Sequence, residues 1–133
     1  MTVFIDTSAI YAVLDRDDEL HGAAHEVWTS LLSGDEDLVA SNYVVLEAFA
    51  LIQSRLGMDA LRGFNDEVLP ALRAEWVSPE DHLSGAQAVL AANKRSLSLV
   101  DCTSFALMRR LRLRSAFTFD GHFAEQGFQV LPG

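Results

Sequence analysis

Thr2-Val3-Phe4-Ile5-Asp6-Thr7-Ser8, residues 2–8, decides the fold of this chain. A short run with β-branched and aromatic members reads as a strand buried on both faces. Asp6, Thr7 and Ser8 then offer N-cap candidates for a helix through Ala9-Ile10-Tyr11-Ala12-Val13-Leu14. Strand, polar turn and helix in that order open a parallel α/β layout.

The same grammar repeats downstream. Asp15 to Glu19 reads as a loop, and a helix from His21 to Leu32 carries Ala24, Val27, Trp28, Leu31 and Leu32 on one face, with Gly34 as its stop. Leu38-Val39-Ala40 is a second strand. Ser41 or Asn42 caps a helix to about Leu56, and Met58 to Leu72 forms another, bent or ended near Pro70. Glu75-Trp76-Val77 reads as a third strand, and Ser78-Pro79 starts a helix that runs to about Asn93. A further helix follows Asp101 to about Leu111, and strands at Ser115–Phe119 and Phe128–Leu131 close the chain. The expected fold is a layered α/β domain around a mostly parallel sheet, one domain over residues 1–133.

Bulk properties narrow the class. Half of the 133 residues are hydrophobic and 22% are charged, which is globular rather than disordered composition. Asp6 interrupts any signal-peptide core, and Glu47 breaks the longest apolar stretch well short of the ~20 residues a membrane span needs. Cys102 is the only cysteine, so neither an internal disulfide nor a multi-thiolate zinc site is available, and a reducing cytoplasm with no membrane association is expected. The net charge of −9 is unevenly spread: residues 1–93 carry 16 acids and 4 bases, residues 94–133 carry 3 acids and 6 bases. Lys94, Arg95, Arg109, Arg110, Arg112 and Arg114 read either as a solvated face or as a phosphate-tracking strip beside the acidic site.

Four acids stand where the local sequence least favours them. Asp6, Asp101 and Asp120 each follow an apolar run, and Glu47 sits inside Tyr43-Val44-Val45-Leu46 … Ala48-Phe49-Ala50-Leu51-Ile52 with few exposed directions. Each has a plain structural reading: Asp6 and Asp101 as helix N-caps, Asp120-Gly121 as a turn, Glu47 as part of a polar stripe. Their placement at one sheet edge, where parallel sheets bind ligands, favours a shared pocket instead. Carboxylates gathered at the edge of a core lose hydration and repel each other, and a divalent cation relieves both costs. Oxygen donors without a His-Cys cluster select Mg2+, with Mn2+ as the alternative, and that pairing points to phosphoester chemistry.

Asp6-Thr7-Ser8, Glu47 with Arg55-Leu56-Gly57, Asp101 with Ala106, and Thr118-Phe119-Asp120 resemble, in order and spacing, the acidic motifs of PIN-domain ribonucleases. Length and layout are closest to the small bacterial toxins of VapC type. The resemblance implies a three-layer α/β/α sandwich and a Mg2+-dependent endoribonuclease that forms a homodimer and is blocked by a VapB-type antitoxin. It also implies that Asp6 and Asp101 are the principal metal ligands, that Glu47 and Asp120 complete the catalytic acids, and that Ser8 and Thr118 support them by hydrogen bonds. An arginine from the antitoxin would suit such a pocket.

Other features carry two readings. His21 and His25 have helical metal-ligand spacing but no third partner, and a solvated face is the plainer account. His122 lies close enough to Asp120 to touch phosphate or relay a proton. Trp28 and Trp76 are expected in the core or an interface. Tyr43, Phe49, Leu51, Leu61, Phe64 and Leu69 read as core or as a dimer face. Two rival functions were weighed: a receiver-type phosphoacceptor domain, and a PIN-like module that binds without catalysis. The first wants an acid after the third strand, where Val77-Ser78-Pro79 has none, and a lysine after the fifth, whereas the only lysine, Lys94, follows a helix. A haloacid-dehalogenase-type phosphatase is further off, since Ser8 occupies the position of its second aspartate.

Overall fold

The computed structural model describes residues 1–133. Its elements are β1 (Thr2–Ile5), α1 (Thr7–Leu14), α2 (His21–Ser33), β2 (Asp37–Ser41), α3 (Asn42–Arg55), α4 (Met58–Gly63), β3 (Arg73–Glu75), α5 (Pro79–Ala92), α6 (Leu99–Arg110), β4 (Ser115–Phe117), α7 (His122–Glu125) and β5 (Gln129–Leu131). The five strands form one all-parallel sheet in the order β3-β2-β1-β4-β5. Val3, Phe4, Ile5, Val39, Ala40, Ala116 and Phe117 have no solvent exposure. Successive strand residues point to opposite faces, so their common burial requires helices on both sides of the sheet. The result is the three-layer α/β/α arrangement.

β1 pairs with β2 through Val3↔Leu38 and with β4 through Phe4↔Ala116. The chain first builds outward through β2 and β3, then returns across the sheet through α5 and α6 to lay β4 on the other side of β1. β1 and β4 therefore flank the point where strand order reverses, which is where parallel sheets open a crevice beyond their carboxyl ends.

Capping follows the sequence closely. Ser41 accepts from the Val44 amide at 3.1 Å to start α3, and Ser78 accepts from the Asp81 amide at 3.0 Å to start α5 with Pro79 inside the first turn. Asn93 ends α5 in the left-handed region at φ 53°. α5 and α6 pack tightly at Gly85: a Cβ there would sit 2.6 Å from Thr103 Cγ2 and 3.0 Å from the Thr103 amide nitrogen. Only glycine fits.

Several expectations need correction. The third strand is Arg73–Glu75 rather than Glu75–Val77. β3 is an edge strand held to β2 by Arg73, which bonds Asp37 at 2.7 Å and also reaches Glu75, so polar residues rather than Trp76-Val77 form it. Trp76 is 73% exposed and is not a core residue, whereas Trp28 is buried. The run after Met58 stays helical to Ala71 but changes form, through a π turn over Phe64–Val68 and a 3-10 turn over Leu69–Ala71 that contains Pro70. Leu61 and Phe64 of that run belong to the core. α3 buries Val44, Ala48 and Ile52, at i, i+4 and i+8, and leaves Leu46 70% exposed, so the apolar stretch around Glu47 is not buried all round. His21 donates from Nδ1 to the Ala12 carbonyl at 2.9 Å, which ties α2 to α1 and gives that histidine a structural role.

Candidate active site

Asp6 leaves β1 at its carboxyl end and occupies the N-cap position of α1, but its side chain makes no capping hydrogen bond. Its Oδ2 instead accepts from Ser8 Oγ at 2.8 Å and from Thr118 Oγ1 at 2.9 Å. Each hydroxyl is itself fixed by the loop after β4: the Phe119 amide donates to Ser8 Oγ at 2.9 Å, and the Asp120 amide donates to Thr118 Oγ1 at 2.9 Å. Two donor chains thus run from that loop to one carboxylate oxygen. The two hydroxyls anticipated as supports hold Asp6 in place.

Asp101 was expected to cap its helix and does not. Ser98 is the N-cap of α6, and Asp101 stands three residues later in a capping box. Ser98 Oγ accepts from the Asp101 amide at 3.0 Å, and Asp101 Oδ2 accepts from the Ser98 amide at 3.0 Å. Oδ2 is occupied by the helix, and Oδ1 makes no hydrogen bond within the protein. A serine earlier in Leu97-Ser98-Leu99-Val100 was the signal for this start.

Asp120 follows β4 after two further residues, and its Oδ1 accepts from the His122 amide at 2.9 Å. Single oxygens of Asp101 and Asp120 and a ring nitrogen of His122 all lie within 4.8 Å of one another. Glu47, half-buried on α3, acts on Asp101 through its charge, as Asp120 does more strongly, and Asp101 in turn acts on Asp6. All four acids therefore share one electrostatic neighbourhood at the carboxyl edge of the sheet. The tightest group within it joins Asp101 to Asp120 and His122. Sequence reasoning gave His122 little weight because a single histidine after a turn carries no spacing signature.

Burial sets the charge state of the cluster. Asp6 is 3% exposed, and loss of hydration pushes its pKa up to about 6 against the lowering effect of the Ser8 and Thr118 hydroxyls, with Asp101 adding repulsion. Asp101 is also raised, first by loss of hydration and then, against the Ser98 hydrogen bonds, by repulsion from Asp120 and Glu47. Cys102 next to it is buried, and burial followed by the Asp101 charge raises its thiol pKa, so it stays protonated and unreactive. The protein holds negative charge here at a cost that an added cation would remove. Oxygen donors, one imidazole and excess negative charge fit a small divalent ion.

The basic residues do not form a strip beside these acids. Arg112 and Arg114 precede β4, at the amino end of the strands, while the acids lie beyond the carboxyl ends. Arg110 bonds the buried Asp81 carboxylate at 2.8 Å, and Arg109 bonds Gln126 at 2.8 Å and stacks 5.2 Å from the Phe128 ring centroid. Only Lys94 and Arg95, in the turn between α5 and α6, come from the segment that leads into the acidic edge. A cleft of about 350 Å3 between α5 and α6, lined by Ala88, Cys102, Phe105 and Arg109, includes none of the four acids. No helix is long and apolar enough to cross a membrane.

Comparison with known proteins matches residues 3–129 to the PIN domain family. The 23S rRNA-specific endonuclease VapC20 of Mycobacterium tuberculosis is 31% identical over 127 residues, 95% of each chain. The crystal structure of that VapC20, a Sarcin-Ricin loop cleaving toxin, superposes with a TM-score of 0.83 at 30% identity and 95% coverage of both chains. FitAcB of Neisseria gonorrhoeae shares the fold, with a TM-score of 0.70 at 17% identity over 98% of this chain and 96% of that one.

Proposed function

This chain belongs to the PIN-domain family, and from that premise we propose that it is an endoribonuclease toxin that hydrolyses RNA with a divalent cation, Mg2+ first and Mn2+ second. The observation that carries the proposal is the meeting of Asp6, Glu47, Asp101 and Asp120 at the strand-order reversal, with two of them raised in pKa by burial and mutual repulsion. Such a cluster is costly without a cation and well suited to one.

Asp101 and Asp120 offer oxygens for the ion, with Asp6 adjoining Asp101. When bound, the ion would lower the pKa of a water and offset the charge that builds on phosphorus during attack. The protein's own part is positioning. Ser8 and Thr118 fix Asp6, the capping box fixes Asp101, and the His122 amide fixes Asp120. Glu47 is the group placed to orient the attacking water or accept its proton. No step needs the ribose 2′-OH, so the products carry 5′-phosphate and 3′-OH ends.

The relation to VapC20 makes large-subunit ribosomal RNA the first substrate to test and a VapB-type antitoxin the natural regulator. An antitoxin arginine would satisfy the same excess negative charge as the cation. Exposed Leu46 and Phe49 on α3 supply apolar surface for a homodimer. The cytoplasm, where ribosomes are, is the compartment this reading requires.

The test is incubation of purified protein with total RNA and isolated ribosomes, with Mg2+ or with EDTA, beside Asp6→Asn. Discrete Mg2+-dependent fragments with 5′-phosphate ends are expected from wild type only. Intact RNA under all conditions, with Mg2+ bound and the fold retained, would instead favour a PIN-like module that binds without cutting.

A further inference from the structure

His122 stands in an unusual relation to Asp120. Its backbone amide donates to Asp120 Oδ1 at 2.9 Å, and its ring Nδ1 lies 2.8 Å from that same oxygen. The ring is not aligned for a hydrogen bond: Nδ1 is sealed from solvent and has no hydrogen-bond partner. A buried ring nitrogen without a partner is costly. If it presents a lone pair, that lone pair opposes a carboxylate already at contact distance. A cation reached by both donors resolves the conflict.

We propose that His122 supplies a nitrogen ligand to the divalent cation held by Asp101 and Asp120, so that the centre is a mixed oxygen–nitrogen site rather than a purely carboxylate one. The inference rests on the cation-dependent reading above and deepens it. Geometry supports the assignment. The three candidate donor atoms lie within 4.8 Å of one another. With metal–ligand bonds of about 2.0–2.2 Å, opposed ligands stand roughly 4.0–4.4 Å apart, so closure needs only a few tenths of an ångström. The ring is held in place from both sides. Asp120 is tied to Thr118 through its amide, and Phe123, the next residue, is fully buried against Phe105 with ring centroids 4.9 Å apart.

The chemical consequence is selectivity. Imidazole nitrogen adds little for Mg2+, which prefers oxygen, and more for later first-row ions. This site should therefore prefer Mn2+ to Mg2+ by a margin that depends on one side chain. A merely orienting histidine, bonded to Asp120 after a small ring rotation, predicts no such margin.

Pulsed EPR of the full chain loaded with Mn2+ separates these accounts without any RNA. Wild type should show nitrogen coupling from a bound imidazole, and His122→Ala should abolish it. Mn2+ affinity in the variant should fall by about tenfold or more, by the scale of lost ligand support in metal sites, with a clearly smaller change for Mg2+. His122→Gln keeps an amide that can bond Asp120 and guards against a folding artefact, and it should behave as His122→Ala does. Mn2+ bound without nitrogen coupling, coupling that survives in His122→Ala, or full recovery by glutamine would each overturn the assignment. Failure of wild type to bind Mn2+ at all would overturn the cation-dependent reading along with it, so the two failures are distinguishable.

Discussion

Asp6 and Thr118 stand 112 positions apart and are joined by a 2.9 Å hydrogen bond within the buried edge of the sheet. The threonine hydroxyl donates to the carboxylate and at the same time accepts from the Asp120 amide. One side chain therefore sets the position of two of the four acids. Thr118→Val keeps the shape and removes both bonds. It should cost about 1–3 kcal/mol of stability, because a buried carboxylate oxygen and a buried amide lose a partner, and lower RNA cleavage by about tenfold or more. Chemical denaturation and initial rates measure the two effects. A cleavage rate within twofold of wild type would remove Thr118 from the support of the site.

Burial makes Asp6 a source of pH-dependent instability in the cation-free protein. Its folded pKa of about 6 exceeds the unfolded value of 3.8, so the folded chain holds that proton more tightly. Stability from this group is fully present below about pH 4, falls as pH rises to about 6, and is then constant at a deficit. At about 1.4 kcal/mol per pH unit, the loss is on the order of 3 kcal/mol. Asp6→Asn has no proton to lose. In EDTA at pH 7.5 it should melt at a higher temperature than wild type and lack the decline between pH 4 and 6. Mg2+ should raise the wild-type melting temperature more than that of the variant.

The capping box separates the structural role of Asp101 from its charge. Asn can still accept the Ser98 amide, so Asp101→Asn should fold with little loss of stability yet reduce cleavage at least ~100-fold through lost ligation. Asp101→Ala should lose both activity and about 1 kcal/mol of helix capping. Parallel thermal melts and RNA assays give the comparison. Equal stability of the two variants would show that the Ser98–Asp101 bond does not matter to α6.

Arg110 tests the corrected view of the basic residues. Its guanidinium compensates the buried Asp81 carboxylate rather than facing the acidic edge. Arg110→Met should lower stability by roughly 1–3 kcal/mol, less than a fully buried pair because the arginine is 42% exposed. RNA affinity and its salt dependence should stay at wild-type values. A reduced salt slope would assign Arg110 to phosphate contact instead.

Gly85→Ala should destabilise the packing of α5 on α6 by about 1–3 kcal/mol, since the added methyl meets both the Thr103 side chain and its backbone. Thr103→Ser removes only the nearer clash at Cγ2. The double variant should therefore recover part of the loss, which urea unfolding of the three variants can measure.

The sheet was readable wherever strands lie in its interior, because β1, β2 and β4 are apolar on both faces and end in a polar residue or turn. It was misread at β3, where an edge position rewards Arg73 and Glu75 and leaves Trp76-Val77 to mimic a strand. The convergence of the acids was readable because Asp6 and Asp120 follow strands that adjoin in the sheet. Ser98 was overlooked as the true start of α6, since apolar Leu99 and Val100 made the helix seem to begin later. The fate of the arginines depended on knowing which end of α6 lies at which edge, and that follows from strand direction rather than from local charge.

The central strand of the sheet comes from the first five residues, yet one of its two neighbours is not synthesised until residues 115–117. Contacts of such long separation form late, after most of the polypeptide is available. A ribosome-bound fragment lacking that stretch has neither a second neighbour for β1 nor the hydroxyl that steadies Asp6. Partial translation products of this chain are harmless by construction, and the capacity to cut arrives only at the end of synthesis.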